Sequence, residues 1–93
     1  IASPTHIRFD VRVTGRAAHA GVEPEKGISA IKIASEIIAQ LPQGRIDEET
    51  TFNVGTIAGG TVRNAVPEST SFSGEFRSRN AEEVNVWAIK SMT

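Results

Sequence analysis

Residues 7–14, Ile-Arg-Phe-Asp-Val-Arg-Val-Thr, alternate apolar and polar side chains without a break, and residues 28–41, ISAIKIASEIIAQL, follow a different period. Period two sets Ile7, Phe9, Val11 and Val13 on one face of a strand, with Arg8, Asp10, Arg12 and Thr14 on the other. The later stretch has helical spacing. Ile31, Ala34, Ile38 and Leu41 form a stripe that Ala30, Ile33 and Ile37 widen, opposite Lys32, Ser35, Glu36 and Gln40. A half-buried strand followed by an amphipathic helix points to mixed sheet and helix around one core. Gly15 ends the strand. Pro42 cannot continue the hydrogen-bond ladder, and with Gly44 it stops the helix near Leu41. Between the two elements, RAAHAGVEPEKG holds Gly21, Pro24 and Gly27 with no apolar periodicity and reads as a loop. Glu23 and Glu25 lie ahead of the helix, where negative charge suits the positive end of its dipole.

Further along, a polar loop leads to a second strand from Thr51 to Ile57, where Phe52 and Val54 alternate with Thr51 and Asn53 until Gly59-Gly60. After Val66-Pro67, Phe72, Gly74 and Phe76 alternate with Ser71, Ser73, Glu75 and Arg77 in a third strand. Asn80 with Glu83 three residues on resembles a capping box and opens a second helix, in which Ala81, Val84, Ala88 and Met92 share a face. The order β-α-β-β-α predicts an α+β fold: a ferredoxin-like two-layer sandwich with an antiparallel sheet and two helices on one face. The fourth strand of that plan is expected directly after the second helix and is missing, which leaves a strand edge open to pairing. The chain starts at Ile and reaches Thr93 with no helix stop, so residues 1–93 are read as a single domain from a larger protein.

Ninety-three residues with 39% hydrophobic and 23% charged content support one modest core. There are no cysteines, which excludes disulfides, thiolate metal sites and a thiol nucleophile, and is compatible with the cytoplasm. A net charge of −1 lacks the basic excess that nucleic-acid binding needs, and no apolar run is long enough to span a bilayer. Neither nucleic acid nor a membrane is therefore expected as a partner.

The chain holds two histidines and no HExxH, GxSxG, P-loop or acid-rich calcium loop, so it has no complete catalytic apparatus and no expected metal site. His19 stands apart. It follows a strand in GRAAHAG, where alanines leave the imidazole uncrowded; it is either a loop histidine bonded to a nearby carbonyl or a donor offered outward to a reacting oxygen. Asn64, between Gly59-Gly60 and Val66-Pro67, either bonds its own turn or holds backbone-like groups of a substrate. Arg77 either pairs with Glu75 or a neighbour at the surface, or clamps a carboxylate through two bonds.

Together, GRAAHAGVEPEKGISAI, GTIAGGTVRNAVPE and SGEFRSRN resemble, in order, the lid domain of the dinuclear zinc peptidase and aminoacylase family. That family includes tripeptidase (peptidase T), acetylornithine deacetylase, succinyl-diaminopimelate desuccinylase, carboxypeptidase G and allantoate amidohydrolase, and HAGVEPEKGISAI is most similar to the peptidase T branch. The resemblance implies a parent enzyme that hydrolyses peptides or acyl-amino acids with two zinc ions in a separate catalytic domain, and no cofactor or catalysis in this segment. It implies that His19 stabilises the oxyanion in a partner subunit's site, that Asn64 binds substrate, and that Arg77 binds a substrate carboxylate. It also implies a homodimer, expected through the edge strand Thr51 to Ile57 and the first helix, with one sheet continuing across both copies. The competing expectation is a ferredoxin-like dimerisation or small-molecule-sensing module with no catalytic part.

Overall fold

The computed structural model describes residues 5–78 and 86–91. Strand β1 (Thr5–Thr14) is followed by β2 (Ala18–His19), a 3₁₀ turn (Pro24–Lys26), helix α1 (Ala30–Gln40), β3 (Gly44–Asp47), β4 (Thr50–Gly59), β5 (Ala65–Val66), β6 (Ser69–Ser78) and β7 (Val86–Ser91). A five-stranded sheet has the order β3-β4-β6-β1-β7, and β2 and β5 form a separate two-stranded ribbon.

The α+β, ferredoxin-like class holds. The three strands expected from alternation are β1, β4 and β6; β6 runs antiparallel between the other two, in the registers Phe9↔Gly74 and Val54↔Gly74. Their apolar faces meet α1. Phe9, Val13, Ala30, Ala34 and Phe72 form the buried core, with Ile33, Ile37, Leu41, Phe52 and Val54 among the residues packed on it. Ala30 and Ala34 are fully buried, and side chains this small let the helix axis lie close to the strands. Ser29 caps the helix, its Oγ accepting the Lys32 N–H at 3.2 Å. The opposite face of the sheet carries no helix among the described residues and presents the charged and hydroxyl side chains of β1 and β6.

The short strands β2 and β5 fall where no strand was expected, and two strands of the main sheet also differ from expectation. The second helix, expected to run through Ala81 to Met92, is corrected within Val86–Ser91, which form a strand. This strand lies beside β1, where the missing fourth strand belonged, and runs parallel to it in the register Phe9↔Val86 to Thr14↔Ser91. Val86, Trp87 and Ile89 are strand-favouring types, and the open β1 edge supplies hydrogen-bond partners that outweigh a weak helical spacing. The Asn80–Glu83 capping box lies outside the described residues.

The other difference is β3, inside the segment expected to be a loop. It pairs with the first residues of β4 through Gly44↔Phe52, Arg45↔Thr51 and Asp47↔Thr50. The Asp47 carboxylate accepts the Glu49 N–H at 2.8 Å and closes the hairpin; that bond, with help from the Thr50 hydroxyl, holds the carboxyl below its usual range. Among the described residues, the expected edge, Thr51 to Ile57, is therefore covered at Thr51 and Phe52 only. From Asn53 to Gly59, β4 has no strand on its outer side among the described residues, and its ladder shifts register between Val54 and Thr56.

Candidate functional site

The loops after β1 and β4 are held together by main-chain bonds. Gly60 has φ +82, a left-handed value that glycine adopts freely, and its N–H returns to the Ser69 carbonyl at 3.2 Å. The Gly15 N–H reaches the Glu68 carbonyl at 2.8 Å, and the Ala30 N–H reaches the Pro67 carbonyl at 2.9 Å. Within that frame β2 and β5 pair as Ala18↔Val66 and His19↔Ala65, and the Ala20 N–H donates to the Asn64 carbonyl at 3.0 Å. Two motifs some 45 residues apart in sequence thus sit side by side (His19 against Asn64).

Both side chains are exposed. The carboxamide of Asn64 makes no hydrogen bond to a described residue, so it is not spent on its own turn. The imidazole of His19 is fixed through Nδ1, which accepts the Gly21 N–H at 3.1 Å. That partner is a backbone donor, not the carbonyl considered from sequence. Among the described residues, nothing bonds Nε2.

Arg77 lies elsewhere. It sits at the other end of β6 from Ser69, in register with His6, and eight residues of strand at about 3.3 Å each place it about 26 Å along the sheet from the ribbon end. Its Nε donates to Glu75 Oε1 at 3.0 Å, and His6 Nε2 lies 2.6 Å from the other carboxylate oxygen. The bond from His6 and then that from Arg77 hold the Glu75 carboxyl below its usual range. The structure therefore brings together His19 and Asn64 but not Arg77. In the sequence Gly21 stands out as a turn former and not as the hydrogen-bond partner of His19.

An exposed histidine and an exposed asparagine thus share one loop cluster. Residues 1–91 match the family described as the peptidase dimerisation domain, of the M20 type. This chain belongs to that family.

The dimerisation domain is 50% identical over 90 residues to the uncharacterized protein YqjE of Bacillus subtilis, covering 97% of this chain and 24% of that protein. It is 32% identical to carboxypeptidase G2 of Pseudomonas sp. over 85 residues, which are 88% of this chain and 20% of that enzyme. Among solved structures, aminopeptidase PepT from Bacillus cereus superposes with a TM-score of 0.78 at 49% identity, over 81% of this chain and 20% of that one. A tripeptidase from Staphylococcus aureus superposes with a TM-score of 0.77 at 37% identity, again over 81% and 20%. The dimerisation domain thus spans about a quarter or less of the relatives it matches. No described helix is long and apolar enough to cross a membrane. Among the described residues no three His, Asp or Glu side chains converge on a point that would fit a metal ion.

Proposed function

We propose that this dimerisation domain is also the active-site lid of a zinc-dependent peptide or amide hydrolase, a tripeptidase or aminopeptidase in kind, acting from a homodimer in the cytoplasm. His19 is the oxyanion donor it supplies, and Asn64 and Arg77 are its substrate contacts. The observation that carries the reading is the ribbon that pins His19 beside Asn64 with the Nε2 edge of the ring and the carboxamide both open. The likeness to PepT and to a tripeptidase supports the substrate class.

Chemically, hydrolysis of an amide places negative charge on the former carbonyl oxygen in the tetrahedral intermediate. A fixed imidazole N–H aimed at that oxygen stabilises the transition state more than the ground state. The Asn64 carboxamide both donates and accepts, which matches a peptide group or a terminal carboxylate. Zinc ions held by the catalytic domain of the parent would supply the activated water there.

Distance supports contributions from two copies. A tripeptide spans at most about 10 Å, well short of the separation between the ribbon and Arg77. His19 and Arg77 of one copy therefore serve different substrates, and a single substrate meets the His19–Asn64 pair of one copy and the Arg77 of the other. Arg77 would then trade part of its bond to Glu75 for the substrate carboxylate. The uncovered stretch of β4 and the adjoining groove, lined by Ser35, Ile38, Ala39 and Val54, suit self-pairing of the sheet and α1.

The test is His19→Ala in the full-length protein. Turnover should fall ~10²–10³-fold, the usual cost of an oxyanion donor, with the dimer intact. Unchanged turnover would favour the non-catalytic dimerisation module instead.

A further inference from the structure

The Nδ1 edge of His19 faces the chain's own backbone. The Gly21 N–H donates to it at 3.1 Å, and the same turn returns the Val22 and Glu23 N–H groups to the His19 carbonyl at 3.3 and 2.9 Å. A neutral imidazole has one donor nitrogen and one acceptor nitrogen, and the bond made by one decides the state of the other. A backbone N–H can only donate. Nδ1 is therefore the acceptor, and the single ring proton sits on Nε2.

We infer that the Gly21 amide is a positioning group that holds His19 as its Nε2–H tautomer, so that the exposed edge of the ring is a hydrogen-bond donor for an oxygen ligand such as a carbonyl or oxyanion. The catalytic consequence rests on the function proposed above; the tautomer does not. Had Nδ1 donated to a carbonyl, Nε2 would be the acceptor, and the same ring would repel an oxyanion rather than bind it.

The device is local. Donor and acceptor are two residues apart, so the bond needs neither substrate nor a second copy, and the donor is set before any ligand arrives. The position also tolerates a discriminating pair of substitutions. A Cβ on Gly21 would lie 3.5 Å from His19 Cε1 and 3.7 Å from Nδ1, which is ordinary contact, so alanine keeps both the space and the N–H. Proline at the same place removes the N–H.

The tautomer is read from the ring nitrogens directly, with ¹⁵N-labelled histidine in the full-length protein in alkaline buffer, where histidine is neutral. His19 is assigned by the signals lost in His19→Gln. Expected in the wild type and in Gly21→Ala are an unprotonated-type Nδ1 resonance and a protonated-type Nε2 resonance. In Gly21→Pro both should shift towards the averaged positions of an unbound imidazole. An Nδ1–H pattern or averaged signals in the wild type overturn the inference, and so does a folded Gly21→Pro whose signals do not move. Should Gly21→Pro fail to fold, the wild-type pattern alone decides. In the active enzyme, Gly21→Pro should lower kcat at nearly constant KM, by part of the ~10²–10³-fold that one oxyanion donor supplies. An Nε2–H pattern in an enzyme whose turnover ignores His19→Gln would sink the proposed function and leave this inference standing.

Discussion

Phe9 and Phe52 lie on strands that are not neighbours, yet their rings stack with centroids 5.1 Å apart and 21° between planes. The strand between them, β6, carries Gly74 opposite Phe9, and a Cβ there would fall 2.6 Å from Phe9 Cζ and run into the Asn53 carbonyl oxygen. An absent side chain is what lets an aromatic pair cross the sheet. Gly74→Ala should therefore destabilise the fold by ~1–3 kcal/mol through overpacking, more than strand propensity alone would suggest. Urea denaturation measures it; a neutral or stabilising result contradicts this packing.

Thr70 is almost fully buried on β6, and its Oγ1 has no hydrogen-bond partner among the described residues. A buried hydroxyl without a partner costs stability, while valine has the same shape and no hydroxyl to satisfy. Thr70→Val is expected to be neutral or to stabilise by up to ~1 kcal/mol in the same denaturation experiment. A loss of more than that would reveal a partner for the hydroxyl.

Glu75 should titrate low. Its carboxyl is held below its ordinary value of 4.5 by bonds from His6 and Arg77, so the folded state favours the carboxylate. Stability from this cluster is then present above that value and is lost as the pH falls through the lower folded value. Carboxyl ¹³C titration should give a Glu75 midpoint under 4.5, which His6→Gln or Arg77→Met moves back up. A wild-type midpoint at the ordinary value rules out the bridging geometry.

Self-association should depend on the open part of β4. Ile57 is 53% exposed there, beyond the reach of β3. Charge on an exposed strand edge is a known defence against pairing. Ile57→Lys is expected to shift the full-length protein from dimer towards monomer in sedimentation velocity. An unchanged dimer would move the interface to another surface.

Much of the sheet was legible because β1, β4 and β6 each bury one face, and burial writes period two into the sequence. The helix was equally plain, though its cap at Ser29 was not distinguished from the residues around it. β3 escaped notice because its four residues, Gly44 to Asp47, are all exposed and leave no apolar alternation to read. Residues 86–91 misled through Val84, Ala88 and Met92, whose spacing suits a helix while their neighbours suit a strand. His19 and Asn64 could be singled out by composition, but their adjacency depends on the Ala18↔Val66 and His19↔Ala65 pairing, which no local pattern encodes. The remoteness of Arg77 likewise emerges only once the register Arg77↔His6 is known.

Subunit mixing distinguishes a His19 that serves the active site of the other subunit from one that serves its own. One full-length variant carries His19→Ala with its metal ligands intact; the other keeps His19 and lacks a metal ligand in the catalytic domain. Each homodimer should be nearly inactive. If His19 acts across the dimer, exchange of subunits creates one complete site in every mixed dimer, and activity returns. If it acts within its own chain, no mixed dimer contains a complete site. Mixtures that stay inactive after verified exchange would rule out action of His19 across the dimer.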